Sequence, residues 1–246
     1  MKLFFHLGRY FFMMRKLFVR PEKFSMYRKQ GFSELLLIGL DSLGIVAIVS
    51  VFMGAVLTLQ VGINFVHPLI PNYLIGLTVR DTMVLEFSST IICLILAGKV
   101  GSNIASEIGT MRITEQIDAL EIMGVNSASY LILPKIFGAM VFFPLLTLVS
   151  IILGIGGGLA VSLLTNVVTV HDYLDGLHRF FVPYYIFYTL VKMVFYAVII
   201  VSVSAYHGYY TKGGALEVGK SSTMAVVYSI VLVLIFNLII TQLMLT

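Results

Sequence analysis

The sequence predicts an all-α integral membrane protein with about five transmembrane helices, for three reasons. The 246 residues are 59% hydrophobic and only 11% charged, whereas an ordinary soluble domain has about 25% charged residues. The mean hydropathy is +1.00, and long runs contain at most one charge. Since a soluble fold of this length must keep its surface hydrated, most of this chain is expected to contact lipid.

The first predicted element is an amphipathic helix over residues 1–30 that lies in the membrane interface. Its cations share one helix face, and these are Lys2, Arg9, Lys16 and Arg20. Such cations suit anionic lipid headgroups. A nucleic-acid-binding arm is the alternative, but the many Phe and Met residues favour the interface, and no nucleic-acid partner is expected.

Five apolar runs predict the transmembrane helices of one membrane domain, 1–246, because about 20 residues cross the bilayer core. The predicted spans are 35–60, 80–105, 130–165, 182–207 and 219–245. The second span is the weakest, since its apolar run is short unless the helix extends at both ends. Glycines 154, 156, 157 and 158 lie within the third span, where they indicate close helix packing rather than a phosphate-binding loop.

Basic residues orient the spans. With the N-terminus in the cytoplasm, the cytoplasmic segments are 1–34, 98–135 and 207–220. These segments contain all of the 16 Lys and Arg residues except Arg80, Arg179 and Lys192. Cytoplasmic loops carry an excess of such residues, so the sequence predicts this orientation in an inner membrane.

Few charges lie within or near the spans. Glu86 in the second span is interpreted as functional because ionisable groups are costly in lipid, with a structural hydrogen-bonding role as the alternative. Asp41 and Lys135 fall near cytoplasmic ends and are expected to snorkel. Lys192 lies deeper, and Glu86 is a candidate partner for it.

An amphipathic cytoplasmic helix is predicted over residues 108–124, with Thr110 as its N-cap and Gly124 as its stop. Glu115 and Asp118 form an acidic face that suits a protein partner better than anionic headgroups. Resting on the membrane is the alternative. The opposite apolar stripe consists of Ile113, Ile117 and Leu120.

A second short helix is predicted outside, over residues 171–181. His171, Asp175 and His178 share one face of it, which is compatible with a metal site, but a solvated loop face is favoured. The single Cys93 lies in an apolar run and is interpreted as a buried residue. The sequence contains no P-loop, so ATP binding by this chain is not expected.

Two stretches resemble the MlaE (YrbE-type) permease family. The first is AGKVGSNIASEIGTMRITEQIDALEIMGV, Ala97 to Val125, and the second is GYYTKGGALEVGKSST, Gly208 to Thr223. The resemblance implies a homodimeric ABC permease in the bacterial inner membrane. It further implies P-loop ATPase subunits that bind ATP and magnesium, an MCE-domain periplasmic protein, and transport of phospholipid that maintains outer-membrane asymmetry. No cofactor is implied for this chain.

The resemblance also implies two sets of site residues. The helix over 108–124 is implied to be the coupling helix, and the residues expected to contact the ATPase are Glu107, Met111, Arg112, Glu115, Asp118 and Glu121. The lipid cavity is implied to contain Val56, Leu59, Gln60, Leu85 and Glu86. In the family an arginine commonly precedes the glutamate, whereas this chain has Leu85 there. Arg80 or Lys192 is a candidate replacement.

Two other functions compete with the ABC permease. An ion-coupled secondary transporter or channel predicts internal repeats, and five spans do not divide into repeats. An intramembrane hydrolase predicts a nucleophile and base, for which the sequence has no recognisable motif.

Overall fold

The structure is a computed structural model that describes residues 2–18, 24–65, 71–165 and 167–245. Every regular element in these ranges is helical, which confirms the predicted all-α class. The helices are α1 Lys2–Phe18, α2 Phe24–Asn64, α3 Tyr73–Ile113, α4 Gln116–Ile122, α5 Ser127–Leu164, α6 Val170–His178, α7 Tyr184–Tyr209 and α8 Ala215–Leu245.

Five of the described helices are long and apolar enough to cross a membrane. They are Gly39–Asn64 within α2, and the whole of α3, α5, α7 and α8. The interfacial helix predicted over 1–30 ends at Phe18, and residues 24–30 instead begin α2. Arg20, predicted on the basic face, lies outside the described residues.

The second span is longer than the predicted 80–105, because α3 continues beyond it at both ends. At its start, Gly76 lies against Tyr173 of α6. Near its end, Gly109 lies against Val218 of α8. Two π-helical turns interrupt α3, at Met83–Phe87 and Ala97–Gly101. Such turns occur frequently at functional sites.

The prediction of a single helix over 108–124 is wrong, because the helix is interrupted at Thr114 and Glu115. Thr110 is not an N-cap, since it lies inside α3 and its hydroxyl donates to the Ser106 carbonyl at 2.8 Å. Glu115 adopts a left-handed conformation with φ 59°, which ends α3 and starts α4. Gly124, with φ 79°, ends α4 in the conformation that favours glycine.

The chain divides into two compact units. Unit 1 comprises Met1–Asp41, Leu94–Phe143 and Val194–Thr246, and unit 2 comprises Ser42–Cys93 and Pro144–Met193. The unit 2 core contains Leu57, Ile75, Val79, Met83, Val168 and Tyr173. Burial raises the pKa of Tyr173 to about 12, so its hydroxyl stays protonated and donates to the Ile155 carbonyl at 3.0 Å.

Close helix packing in unit 2 depends on glycine. A Cβ atom on Gly54 of α2 would lie 1.7 Å from the carbonyl oxygen of Gly154 of α5. The obstacle is backbone, which cannot rotate away as a side chain can. Gly156, also predicted to pack closely, has open space where its Cβ would be.

This contrast gives a matched test of packing. We expect Gly54→Ala to destabilise the protein by about 1–3 kcal/mol, because the methyl group forces the two backbones apart. Gly156→Ala is the control, and we expect it to be neutral or slightly stabilising, because alanine favours helix. The measurement is thermal unfolding in lipid nanodiscs, and equal melting temperatures for the two variants would contradict the packing.

Candidate functional site

The first candidate site is the last part of α3 together with α4 and the turn after it, all in unit 1. We call these residues, 107–124, the coupling segment. Ile117 of α4 is fully buried and anchors it. Arg112 bridges the break before α4 by binding Asp118 at 2.7 Å. The segment therefore has a defined shape, although it is not the single helix that the sequence predicted.

Glu107 forms the base of the coupling segment. Both of its carboxylate oxygens accept hydrogen bonds from Lys135 Nζ, at 2.8 and 3.0 Å. Lys135 is only 3% exposed, so the prediction that it snorkels is wrong. A lysine can be buried here because the paired carboxylate compensates its charge.

Glu121 ties the end of α4 to three other parts of unit 1. Its carboxylate accepts hydrogen bonds from Ser127 at 2.9 Å and Tyr209 at 3.0 Å, and Lys16 of α1 lies 3.8 Å away. Partial burial acts to raise the pKa of Glu121, but those two hydrogen bonds and the charges of Lys16 and Arg112 outweigh it and lower that pKa. The carboxylate is therefore a stable ionic anchor.

Of the predicted coupling residues, Glu107, Glu115 and Glu121 are exposed to a partner, whereas Met111, Arg112 and Asp118 are half-buried. Ile122 is 87% exposed and Met123 is 68% exposed. Neither residue was predicted as a contact, although two apolar side chains directly before Gly124 indicate an exposed apolar end of the helix.

The second candidate site surrounds Glu86 in unit 2. Glu86 lies in the π-helical turn Met83–Phe87, and its Oε1 is 2.9 Å from Lys192 Nζ of α7. Lys192 is 0% exposed, whereas Glu86 is 38% exposed. The Glu86 carboxylate therefore reaches the surface of the protein, whereas the Lys192 ammonium is buried behind it.

Further polar groups complete the pair. Tyr188 accepts a hydrogen bond from Lys192 at 2.9 Å and donates to Glu86 at 3.4 Å. Thr90 donates to the other carboxylate oxygen at 3.1 Å. The backbone carbonyl of Leu85 also accepts from Lys192, at 3.4 Å. Both charges therefore have several partners, and the buried Lys192 ammonium requires them.

Arg80 does not replace the arginine that the family pattern leads one to expect beside Glu86. Its buried guanidinium donates to the carbonyls of Leu177 at 2.8 Å and Arg179 at 2.7 Å, and it binds Asp81. Lys192 is the cation at Glu86, as one of the two sequence-based candidates proposed.

The three candidate cavity residues of α2 are surface residues of that helix. Val56 and Gln60 are exposed and Leu59 is half-buried. The hydrogen bonds of Glu86 described above link it to α3 and α7, so grouping the α2 residues with Glu86 stays a prediction.

The acidic and histidine residues of α6 do not assemble a metal site. In the described parts of the chain, no three His, Cys, Asp or Glu side chains converge as metal ligands would. Asp175 instead binds Arg179 at 2.9 Å.

The ion pair in unit 2 is open to a double-mutant test. We expect Lys192→Met to destabilise the protein by about 3 kcal/mol, because it leaves Glu86 without its cation in an apolar surrounding. Lys192→Met combined with Glu86→Gln removes both charges and is expected to recover part of that loss. Thermal unfolding of both variants and of Glu86→Gln in nanodiscs measures the coupling, and strictly additive effects would show that the pair contributes nothing.

Comparison with known proteins gives a consistent result. The family described as Permease MlaE matches residues 32–243. A probable ABC transporter permease protein from Rickettsia bellii is 38% identical over 91% of this chain and 84% of its own length. One from a Synechocystis species is 31% identical over 95% and 89%. The chloroplastic protein TRIGALACTOSYLDIACYLGLYCEROL 1 of Arabidopsis thaliana is 32% identical over 83% and 58%.

Proposed function

Because this chain belongs to the MlaE permease family of ABC transporter permeases, we propose that it moves phospholipid across or out of the membrane in which it lies. An ABC permease implies an ATPase partner. The observation that best supports a lipid substrate is the Glu86–Lys192 pair, because Glu86 is the one charge in the apolar run 82–97. The name of the Arabidopsis relative, which is that of a galactolipid, also supports it.

We infer the remaining assembly from the same family resemblance. The permease acts as a homodimer in a bacterial inner membrane, with its N-terminus in the cytoplasm. An MCE-domain protein binds it on the periplasmic side, and the transport maintains the lipid asymmetry of the outer membrane. The distribution of Lys and Arg supports this orientation.

The coupling segment is the proposed ATPase contact. Ile122 and Met123, at the end of α4, are exposed and supply the apolar part of the contact. Glu115, directly before α4, is also exposed and supplies a negative charge. Apolar anchors surrounded by polar groups are the usual composition of a protein interface. Arg112 and Asp118 support the segment through their bond to each other. Glu107 and Glu121 are bonded within the chain and exposed as well, so they both position the surface and form part of it.

Docking is tested at the exposed end. We expect Ile122→Asp to weaken ATPase binding by about 2 kcal/mol, roughly 30-fold, because it places a charge in an apolar contact. Glu115→Lys is expected to have a smaller effect that depends on salt. Co-purification of the ATPase with the permease is the measurement.

The control is His171→Asp, a charge at an exposed position of α6. It should leave co-purification unchanged. Full ATPase stoichiometry with Ile122→Asp would move the contact away from the coupling segment.

Lipid handling is tested at Glu86. We expect Glu86→Ala to slow lipid transfer roughly tenfold or more, since a bond to a charged group contributes about 1.5–3 kcal/mol. The ATPase complex should still assemble. Asp41→Ala is the control, because it removes an exposed carboxylate from a different span, near the start of Gly39–Asn64. Photo-crosslinkers at positions 56 and 59 should trap lipid if α2 lines the same path.

Normal transfer by Glu86→Ala, together with no lipid at either crosslinker, would leave Glu86 as a packing residue. An ATPase-independent, ion-driven transfer would instead favour the secondary transporter.

A further inference from the structure

The turn between α6 and α7 in unit 2 carries a run of exposed apolar side chains. Phe180 is 75% exposed, and Phe181 and Val182 beside it are also exposed. The surface continues onto the first turn of α7 with Tyr184 and Phe187, whose rings lie 6.3 Å apart. We call residues 180–187 the aromatic wedge. A patch of this kind marks an interaction surface.

The backbone of the wedge is held in an unusual conformation. Phe180 has φ 50°, which a bulky residue adopts only when its surroundings enforce it. The enforcing group is buried Arg80, which donates to the carbonyls of Arg179 at 2.7 Å and of Phe180 at 3.4 Å. The Arg80 guanidinium also lies 5.7 Å from the Phe181 ring.

The helix that leads into the wedge is fixed as well. A Cβ on Gly176 of α6 would lie 2.1 Å from the Tyr73 carbonyl, so α6 packs directly on the first turn of α3. The Arg179 guanidinium lies 4.3 Å from the Tyr73 ring and binds Asp175. The phenyl rings of the wedge are therefore presented outward by a rigid platform, before any partner binds.

We propose that the aromatic wedge is a lipid-binding surface, immersed at the boundary between headgroups and acyl chains in the leaflet on the α6 side. Continuity supports lipid as the occupant, because Tyr184 and Phe187 lie on the first turn of a membrane-spanning helix. Aromatic side chains are enriched at this depth of the bilayer. His171 and His178 of α6 are also exposed, and an interfacial helix keeps such polar groups toward water.

The wedge has a consequence for the rest of α3. Arg80, which holds the wedge, precedes Glu86 by six residues, or about 9 Å of helix rise. The depth of the wedge in the leaflet therefore also sets the depth of Glu86. This inference concerns lipid contact and goes beyond the transport function, so it stands even if another substrate is moved.

The chain has no tryptophan, so a single substitution gives an unambiguous probe. Phe180→Trp is prepared in the full chain in phosphatidylcholine nanodiscs. We expect blue-shifted emission, quenching by lipids brominated near the glycerol end of the chains, and protection from aqueous iodide. Ile122→Trp, on the exposed end of the coupling segment, is the control and should show the opposite pattern. Phe181→Trp is a second reporter if the first variant does not fold.

Two outcomes would overturn the proposal. Quenching by iodide without quenching by brominated lipid would place the wedge in water. Protection from both quenchers would show that protein covers it, either a second copy of this chain or another partner. Lipid quenching at position 180 together with normal transport by Glu86→Ala would retain the wedge and reject the transport site, so the two proposals fail separately.

Discussion

The central constraint on this protein is that a charge removed from water needs a partner, and this constraint acts on α3. This helix carries Glu86 in unit 2 and Glu107 in unit 1, and each carboxylate binds a buried lysine from another helix. Loss of the carboxylate from either pair leaves a buried, uncompensated lysine, which is strongly destabilising. The packing of α3 is therefore specified by charge as well as by apolar contacts, which in lipid give little directional preference.

The π-helical turns of α3 fall at the proposed lipid site and at the start of the family motif. The first, Met83–Phe87, contains Glu86, and the second, Ala97–Gly101, opens the stretch that resembles the family motif. A π turn frees backbone carbonyls that must find other donors. Around the first turn those donors come from α7, because Thr189 donates to the Val84 carbonyl at 2.6 Å and Lys192 to that of Leu85. The irregular backbone and the charged site thus depend on the same neighbouring helix.

The sequence predicted what depends on composition and missed most of what depends on a specific tertiary contact, although the Glu86–Lys192 pair was among its candidates. Spans show as long apolar runs because lipid contact requires apolar side chains along the whole length. The break at Glu115 left no such trace, since its left-handed backbone is stabilised by contacts such as the Arg112–Asp118 pair. The wrong prediction for Lys135 has the same origin. The sequence shows the charge of Lys135, but it does not show that the Glu107 carboxylate, 28 residues away, compensates that charge.

The source of the cation decides how the Glu86 site behaves. An arginine next to the glutamate would belong to the same helix and would move with it. Here Leu85 holds that place, and the ammonium comes from Lys192 on α7, so the site is complete only while α3 and α7 stay packed. Lysine is a point charge with rotatable donors, unlike the planar fork of arginine. Under the proposed function, a headgroup that binds the exposed Glu86 carboxylate competes with Lys192 for it, and so substrate binding and helix packing share one interaction.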